Sequence, residues 1–516
     1  MSAGRDSARG GGFGRLVLAE WTKFRTVRGW VAGMAAAALV TVLLGLMTAA
    51  GSHTSCGGPG DACPAPPVGP GGEAVTDHFF FAHRTLTGDG SVTARLTSMT
   101  GQVRLPDLVQ GVRRVENRVV PWAKAGLIIK DGVRQGSTYA AVMATGGHGV
   151  RMQVDFTHDT AGRPGGVSAS SPRWLRLVRS GEDVTGYESA DGERWTKVGT
   201  ARLAGLPATA EIGMFAASPG DLTVQPADFG GSIEQVRFSE TTAVFDRVGL
   251  SGRVTGEAWS GDDIGAVREP GGAIHHPGGF RQSGGTYTVV GVGDIAPATD
   301  GQSVENTLTG VVTALIVVIV VAVMSVTSEY RRGLIRTTLL AVPRRGRALA
   351  AKAVVIAGVT FAAGLAATAV TVPLGTGVLR DNGNIVLPVS WLTQVRVVAG
   401  VALLMAAAAV LALALGALFR RGTAAITAAV VVVVVPHLLA TASILPDEAA
   451  RWLLRLTPAA GFAIQQSIPA YPQVLANYVP SAGYYPLAPW AGLAVLCGYA
   501  VLALALAVHR LNRRDA

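Results

Sequence analysis

The most prominent pattern in the chain is a set of six apolar runs, none of which contains Asp, Glu, Lys or Arg. A helix needs about 20 apolar residues to cross about 30 Å of hydrocarbon, and one central charge opposes insertion by about 3 kcal/mol. Buried helices of soluble domains are seldom uncharged over that length. The pattern therefore predicts six transmembrane helices, at residues 31–50, 307–327, 353–372, 397–419, 423–445 and 490–508.

A different pattern fills the long interval between the first and second runs. Short segments alternate apolar and polar residues, as in VRMQVDF at residues 150–156, whose Val, Met and Phe side chains share one face. VTGYES and ERWTKVG, joined through ADG at residues 190–192, predict a hairpin with a Gly-containing turn. A series of such segments without long helical patterns predicts an all-β sandwich of the jelly-roll type, inserted between the first and second helices.

Residues 123–200 contain the succession AKAGLIIKDG, STYAAVMATGGHGVRMQ and PRWLRLVRSGEDVTGYESADGERWTKVGT. With its flanks, over residues 75–240, it resembles bacterial concanavalin- and laminin-G-like sandwich domains. The resemblance implies the fold but fixes no activity, so a carbohydrate or a peptide ligand stays open. A Gly/Pro-rich linker at 51–74 precedes this domain, and further strand and turn signals at 241–306 predict a small β unit or a stalk. The aromatic candidates for ligand contact are Trp174, Trp195, Tyr139 and Tyr187.

The net charge of +10 is distributed unevenly along the chain. Residues 51–305 hold 22 Lys and Arg against 27 Asp and Glu, a net charge of −5, so the rest carries +15. That excess lies beside the apolar runs, with six basic residues before Trp30 and seven between residues 331 and 352. Segments rich in Lys and Arg alternate with segments that have few of them. The positive-inside rule therefore predicts cytoplasmic termini and an extracytoplasmic segment at 51–306. The same distribution argues against a nucleic-acid partner.

The segment before the first run is predicted to be a helix that lies in the membrane interface. Its apolar residues repeat at helical spacing, and its basic residues lie off that face. A cleaved signal peptide is the alternative, but its apolar core normally has about 7–15 residues, fewer than this run. The residues of the apolar face are Phe13, Leu16, Val17, Trp21, Phe24 and Val27.

The chain has three cysteines. Cys56 and Cys63 fall in the linker on the predicted outer side, where an oxidising compartment allows a disulfide that closes a small loop. Two free thiols are the alternative. A metal site is not predicted there, because His53 is the only additional ligand nearby. Cys497 lies in the sixth run and is interpreted as a small apolar residue.

Sequence motifs of several enzyme classes are missing. A Walker-type phosphate loop needs a Lys directly after Gly, and none of the five Lys in the chain follows Gly. Glu188, Asp191 and Glu193 lie across a predicted turn, without the Glu-x-Asp-x-x-Glu spacing by which jelly-roll glucanases carry their catalytic carboxylates on one strand. We therefore expect no enzymatic activity, and no cofactor bound by this chain itself.

The long basic loop after the second run combines charge with a helical pattern. It reads SEYRRGLIRTTLLAVPRRGRALAAK, residues 328–352. The helix of the second span is predicted to continue to Leu340, before Pro343 interrupts it. A compact charged helix–Pro–helix element that faces the cytoplasm would present its basic side chains to an acidic partner surface. The alternative is a simple positive-inside anchor.

Four features occur together in this chain. They are LAEWTKFRTVRGW before the first span, the 328–352 loop, six spans with both ends inside, and WLLRLTPAAGFAIQQSIPA before the sixth span. Together they resemble the permease subunits of the type-2 ABC exporter superfamily, over residues 13–50 and 305–514. The large insert departs from this pattern, because typical members have only a short loop between the first two spans.

The resemblance implies roles for two cytoplasmic elements. The first is an interfacial helix, which includes Glu20, Trp21 and Lys23. The second is the coupling region, which touches a separate ATPase. Its residues by resemblance are Glu329, Arg331, Arg332, Arg336, Pro343, Arg344 and Arg345.

The resemblance also implies partners. Access alternates between two six-span halves, so a second permease subunit is expected, identical or different, and a separate ABC ATPase subunit binds the ATP. The predicted function is an exporter permease in a bacterial plasma membrane, whose sandwich engages cargo or cell-envelope glycan. The alternative is a membrane-anchored receptor that binds the envelope or a carbohydrate and transports nothing.

Overall fold

A computed structural model of the protein describes residues 11–55, 63–106, 114–226, 232–266, 277–331 and 345–513. Within these ranges, six helices are long and apolar enough to cross a membrane, and each contains most of one predicted run. Two shorter helices accompany them. In chain order the helices are α1 (Gly11–Thr26), α2 (Arg28–Gly51), α3 (Gly310–Arg331), α4 (Arg345–Asp381), α5 (Trp391–Phe419), α6 (Gly422–Thr441), α7 (Asp447–Leu456) and α8 (Pro489–Arg513).

The long helices pack around one apolar core. In α5, which is the most enclosed of them, Val401, Leu404 and Ala408 are fully buried. Helix α4 begins at Arg345, two turns before its apolar run, because the intervening Arg, Ala, Leu and Lys residues favour helix although they are not all apolar. A pattern of apolar residues detects only the part of a helix that avoids charge.

The interval between α2 and α3 is an antiparallel β structure, as the alternating segments predicted. Its strands are β1 (Val75–Asp77), β2 (Phe79–Leu105), β3 (Arg114–Glu116), β4 (Lys124–Lys130), β5 (Tyr139–Thr145), β6 (Val150–Val154), β7 (His158–Ala161), β8 (Arg173–Ser180), β9 (Asp183–Ser189), β10 (Thr196–Arg202), β11 (Thr209–Ala217), β12 (Asp221–Pro226), β13 (Ser232–Arg237), β14 (Ser239–Ile264), β15 (Gly279–Ser283), β16 (Thr286–Gly291) and β17 (Ile295–Pro297).

Two very long strands, β2 and β14, form a bent ribbon that joins two layers. The first half of β2 pairs with β11, which continues through β4, β5, β6 and β7 to make the first layer. The second half pairs with β8, followed by β9 and β10, to make the second layer. The register of the β2–β14 pair shifts after Gly252, which lies opposite Gly90, where a Cβ would collide with the carbonyl oxygen of Ser251.

The two layers pack face to face as a sandwich. Leu127 and Val142 of the first layer and Leu175 and Leu177 of the second are fully buried in one shared core. Close contact across the core requires small residues, since a Cβ at Gly186 of β9 would lie 2.9 Å from the sulfur of Met152 on β6.

Residues that the sequence assigned to a small β unit or stalk add strands to this same structure. Strand β14 pairs with β2 along most of its length, and β16 pairs with β14. Strand β17 pairs with β1 and is the last strand before the chain enters α3. Two buried lysines of β4 hold this pairing in place: Lys124 lies 2.6 Å from Asp294, and Lys130 lies 2.8 Å from Asp77.

The first layer faces the segment that precedes α8. This segment contains a 3₁₀ helix at Pro458–Gln465, which is buried among the long helices, and a second at Pro480–Ala482. Between them, the Gln473 side chain reaches the turn between β6 and β7. The outer face of the second layer therefore lies on the side of the sandwich away from the helices.

Candidate functional site

Four charged side chains from three helices meet at one end of the helical part. Glu20 and Lys23 come from α1, Glu329 from the last turn of α3, and Lys352 from the second turn of α4. We call these four residues the charged cluster. Glu20 and Lys23 are one helical turn apart on α1, which places both on the side of α1 that faces α3 and α4.

The signs alternate around the charged cluster. The Lys352 ammonium lies 2.8 Å from the Glu20 carboxylate and 2.8 Å from that of Glu329. Lys23 lies 2.7 Å from Glu20 and 3.4 Å from Glu329. Each carboxylate therefore contacts two ammonium groups and each ammonium two carboxylates, so no charge in the ring lacks an opposite neighbour. Lys352 also donates to the backbone carbonyl of Ser325, at 3.4 Å.

The cluster is largely closed to solvent. The side chains of Glu20, Glu329 and Lys352 are about one-tenth exposed, whereas Lys23 at the rim is 41% exposed. Burial opposes ionisation of Glu20, but Lys352 and Lys23 outweigh it and hold the pKa of Glu20 below its ordinary value. Burial likewise opposes the charge of Lys23, and the carboxylates of Glu20 and Glu329 raise its pKa. Both shifts favour the charged forms of Glu20 and Lys23 at neutral pH.

Such an arrangement is stable only as a whole. Removing one partner from a buried ion pair costs about 3–5 kcal/mol, because the remaining charge is left uncompensated. Glu20 therefore fastens α1 to α4, and Glu329 fastens α3 to α4 through the same ammonium of Lys352. A shift of α3 relative to α4 cannot occur without changing the contacts of α1.

The charged cluster lies at the base of the loop that the sequence singled out. Arg331 is the last residue of α3 and Arg345 the first of α4, so both candidates occupy helix ends next to this loop. The other basic candidates and the predicted helix break, Arg332, Arg336, Pro343 and Arg344, lie outside the described residues.

Sequence reasoning did not assign Lys352 to a site, because a Lys directly before an apolar run is usually interpreted as a positive-inside anchor. A signal was nevertheless present. Glu329 is the only acidic residue between Glu305 and Asp381, in a stretch rich in Arg. An acidic residue isolated in a basic segment beside a long apolar run indicates a specific internal partner rather than an anchor.

The remaining interfacial-helix candidate, Trp21, is 43% exposed on the side of α1 away from the cluster. Phe24, one turn from Glu20, is buried and its ring lies 6.1 Å from that of Trp30 at the start of α2. The side of α1 that contacts the other helices therefore carries both a charged residue, Glu20, and an aromatic residue, Phe24.

The other candidates are spread over the β structure and the linker. Cys63 is disulfide-bonded, and Cys56 lies outside the described residues. Glu188 accepts a hydrogen bond from the Arg163 backbone N–H at 2.6 Å. Asp191 accepts hydrogen bonds from the backbone N–H groups of Arg194 and Glu193, which lower its pKa. Both carboxylates are thus engaged in local structure. Among the described residues, no group of acidic, His and Cys side chains has the arrangement of a metal site.

The aromatic candidates divide into two groups. Tyr139 is fully buried beneath the first layer, against the ring of Phe156. Trp174, Trp195 and Tyr187 lie half-buried on the outer face of the second layer.

Comparisons with known proteins give little help. No protein-family model matches the chain, and no curated protein matches it. A crystal structure of a functionally unknown protein from Saccharomyces cerevisiae is similar at 12% identity over 34% of this chain and 74% of that protein, with a TM-score of 0.21. Two structures of scytalido-glutamic peptidase with transition-state analogues each cover 42% of this chain and 98% of their own, at 9% and 8% identity and TM-scores of 0.26 and 0.24. Similarities this weak carry no functional information.

Proposed function

We propose that this chain is the membrane-spanning permease subunit of an exporter that is driven by a separate ATPase. In this proposal, six helices cross the plasma membrane, namely α2, α3, α4, α5, α6 and α8. The termini lie in the cytoplasm and the sandwich lies outside. A second permease subunit completes the transport path. The observation that carries the proposal is the charged cluster, which ties the two helices on either side of residues 332–344 to α1.

The cluster supplies what such a subunit needs at its cytoplasmic end. An ATPase that pulls on the loop would move the ends of α3 and α4, where Glu329 and Lys352 lie. Because Lys352 also contacts Glu20, the displacement would pass to α1 without a flexible intermediate. Ion pairs allow such movement between discrete arrangements, since a shift of one helical turn can exchange partners of the same sign.

Two sets of substitutions separate docking from transmission. The permease is purified with the ATPase encoded beside it, and both complex formation and the ATPase rate are measured. Reversing the loop charges at Arg331, Arg332, Arg344 and Arg345 to Glu is expected to abolish the complex. Lys352→Glu adds a third carboxylate beside Glu20 and Glu329, so we expect assembly to persist while permease-dependent stimulation of the ATPase is lost.

The exchange variant Glu329→Lys/Lys352→Glu restores an opposite-charge contact between α3 and α4 and should recover part of the stimulation. Arg421→Glu changes an exposed charge directly before α6 that is not a member of the charged cluster, and serves as the matched control. If the loop variant still assembled and still stimulated the ATPase, the coupling assignment would be wrong. A chain that binds no ATPase at all would instead be the anchored receptor.

A further inference from the structure

The outer face of the second layer carries basic side chains that are held by aromatic rings. On β8, Trp174 and Arg176 alternate with the fully buried Leu175 and Leu177, so both point away from the core. Arg95 on β2 lies opposite Trp174 in the strand register. Lys197 on β10 lies opposite Tyr187 of β9, on the same side. We call the surface formed by Arg95, Arg176, Lys197 and Arg247 the basic face.

Arg176 is fixed in place without being neutralised. Its guanidinium lies 3.9 Å from the centre of the Trp195 ring, and its Nε donates to the Thr93 hydroxyl at 3.0 Å. No carboxylate pairs with it among the described residues. Its remaining N–H groups are therefore held in one orientation before any ligand binds, so binding costs little further conformational entropy. A planar guanidinium in this state can bind a carboxylate or phosphate through two parallel hydrogen bonds.

Trp174 organises a second pair of guanidinium groups. Arg95 and Arg247 lie 5.8 Å and 5.9 Å from the centre of its ring. Asp246 neutralises Arg95, whose Nε it meets at 2.7 Å. Arg247 is exposed and, in the part of the chain that the structure describes, it has no acidic partner.

The backbone at Arg247 is itself unusual. Its φ of 48° lies in the left-handed region, where a side chain other than Gly is uncommon. It occurs at a break in the β14–β2 register between Asp246 and Gly249. A bulge of this kind redirects the side chain of the extra residue. Here it brings Arg247 over Trp174, at a cost in backbone strain that a purely structural surface position would not need.

The charge of this surface is opposite to that of its surroundings. Residues 51–305 carry a net charge of −5, yet among the described residues only Asp246 pairs with one of the four basic side chains of the basic face, and Asp183 lies exposed at the end of the same side of β9. We propose that the basic face binds a polyanionic glycan, a sugar chain that carries carboxylates at intervals. The guanidinium forks of Arg176 and Arg247 contact the acidic groups, and Tyr187 and Trp195 offer apolar ring surface to the sugar rings between them.

Position and shape favour this partner over others. The protein's own membrane is excluded as the ligand, since the other layer faces the helices through Gln473. A peptide that binds by strand addition would use a sheet edge rather than the middle of a face. Residues two positions apart along a strand point to the same face and lie about 7 Å apart. This spacing gives a regular row of contacts to an extended polymer.

The inference deepens the proposed function. It rests on that function in one respect, which is that the sandwich lies outside the membrane, where it meets its ligand. Binding is measured on the purified full chain in lipid nanodiscs without any ATPase, so either proposal can fail alone. The ligand is fluorescently labelled oligogalacturonate, with a neutral maltodextrin of equal length for comparison. We expect the acidic oligomer to bind, the neutral one not to bind, and the affinity to fall as salt rises.

Arg176→Gln and Arg247→Gln should each lower the affinity about tenfold, as expected for loss of one charge-assisted contact. Trp195→Ala, which frees Arg176 from its stack, should weaken binding, whereas Trp195→Phe should retain most of it. The matched control is Arg134→Gln, which removes an exposed charge in the loop between β4 and β5. Near-UV circular dichroism verifies that each variant is folded.

Three results would overturn the inference. The first is equal binding of maltodextrin, and the second is an equal loss of affinity in the Arg134→Gln control. The third is equal or tighter binding of a single-stranded DNA oligomer of the same charge, which would indicate a nonspecific polyanion surface rather than a glycan site.

Discussion

The side-chain amide of Gln473 donates a hydrogen bond to the backbone carbonyl of Phe156, at 3.3 Å. This contact joins the segment before α8 to the turn between β6 and β7, 317 positions away in sequence. Gln473 is 2% exposed, so the bond is shielded from water. Asp155 and Phe156 both have positive φ values, of 43° and 63°, and such a turn persists only when its surroundings hold it.

Gln473→Leu should loosen this junction. The substitution keeps the side-chain size but leaves buried carbonyl groups without a donor, which costs about 1–3 kcal/mol. Hydrogen–deuterium exchange measured by mass spectrometry should rise in the peptides that contain residues 150–160 and 470–478. Exchange in β8 and β9, on the far layer, should not change.

Gln282→Leu is the matched control, because Gln282 is exposed on β15 and should leave exchange at the junction unaltered. Unchanged exchange in the Gln473 variant would mean that the contact does not hold the sandwich against the helices.

His83 lies between two carboxylates in the sandwich. Its Nδ1 lies 2.6 Å from Glu211 on β11, and its Nε2 lies 2.7 Å from Asp262 on β14. Burial opposes the charged imidazolium, but the hydrogen bonds to Glu211 and Asp262 outweigh it and raise the pKa of His83. The bond from His83 also lowers the pKa of Glu211, against the effect of burial. The charged triad therefore links β11 to β14 across β2.

The stability of the sandwich should consequently fall as pH rises past neutrality. Because the folded pKa of His83 lies above the unfolded value of about 6.5, its contribution is complete below that value and is lost as pH rises through the folded pKa. Glu211 has a lowered folded pKa, so its contribution is lost in acid instead. Thermal unfolding of the full chain, followed by near-UV circular dichroism, should show this decline as pH rises above about 6.5.

His83→Gln should flatten that part of the profile and cost about 1.5–3 kcal/mol at pH 6, the value of a hydrogen bond to a charged group. His78 works in the opposite direction, since burial lowers its pKa, so the difference between the variant and the parent isolates His83. His158→Gln, at an exposed position, is the control. An unchanged slope in the His83 variant would contradict the assignment.

The extent of sequence-based prediction differs between the two halves of the fold. Apolar runs located the long helices because a long uncharged apolar run is recognised from composition alone, which is local information. They missed the first two turns of α4, where Arg345 to Lys352 are helical and charged. The charged cluster was invisible for the same reason, since Glu20, Glu329 and Lys352 are brought together by packing over more than 300 positions.

In the β half, alternation predicted the sandwich but not its boundary. Residues 241–306 show the same local strand signals whether they form a separate unit or extend the existing sheet. Strand β14 joins β2 because Ala243 and Phe245 complete the shared core, a fact about long-range pairing that period-two alternation does not encode.

The proposed orientation of the chain in a membrane is testable with introduced cysteines. In a Cys497→Ala background, Glu193→Cys places a thiol at the exposed tip of the β9–β10 hairpin. Intact cells should be labelled there by a membrane-impermeant maleimide, because the proposed topology puts the sandwich outside. Arg421→Cys, between α5 and α6, should react only after lysis, and the Cys497→Ala parent sets the background. Labelling of position 193 only after lysis, with position 421 accessible from outside, would reverse the topology and remove the basis for an ATPase at the predicted 328–352 coupling region.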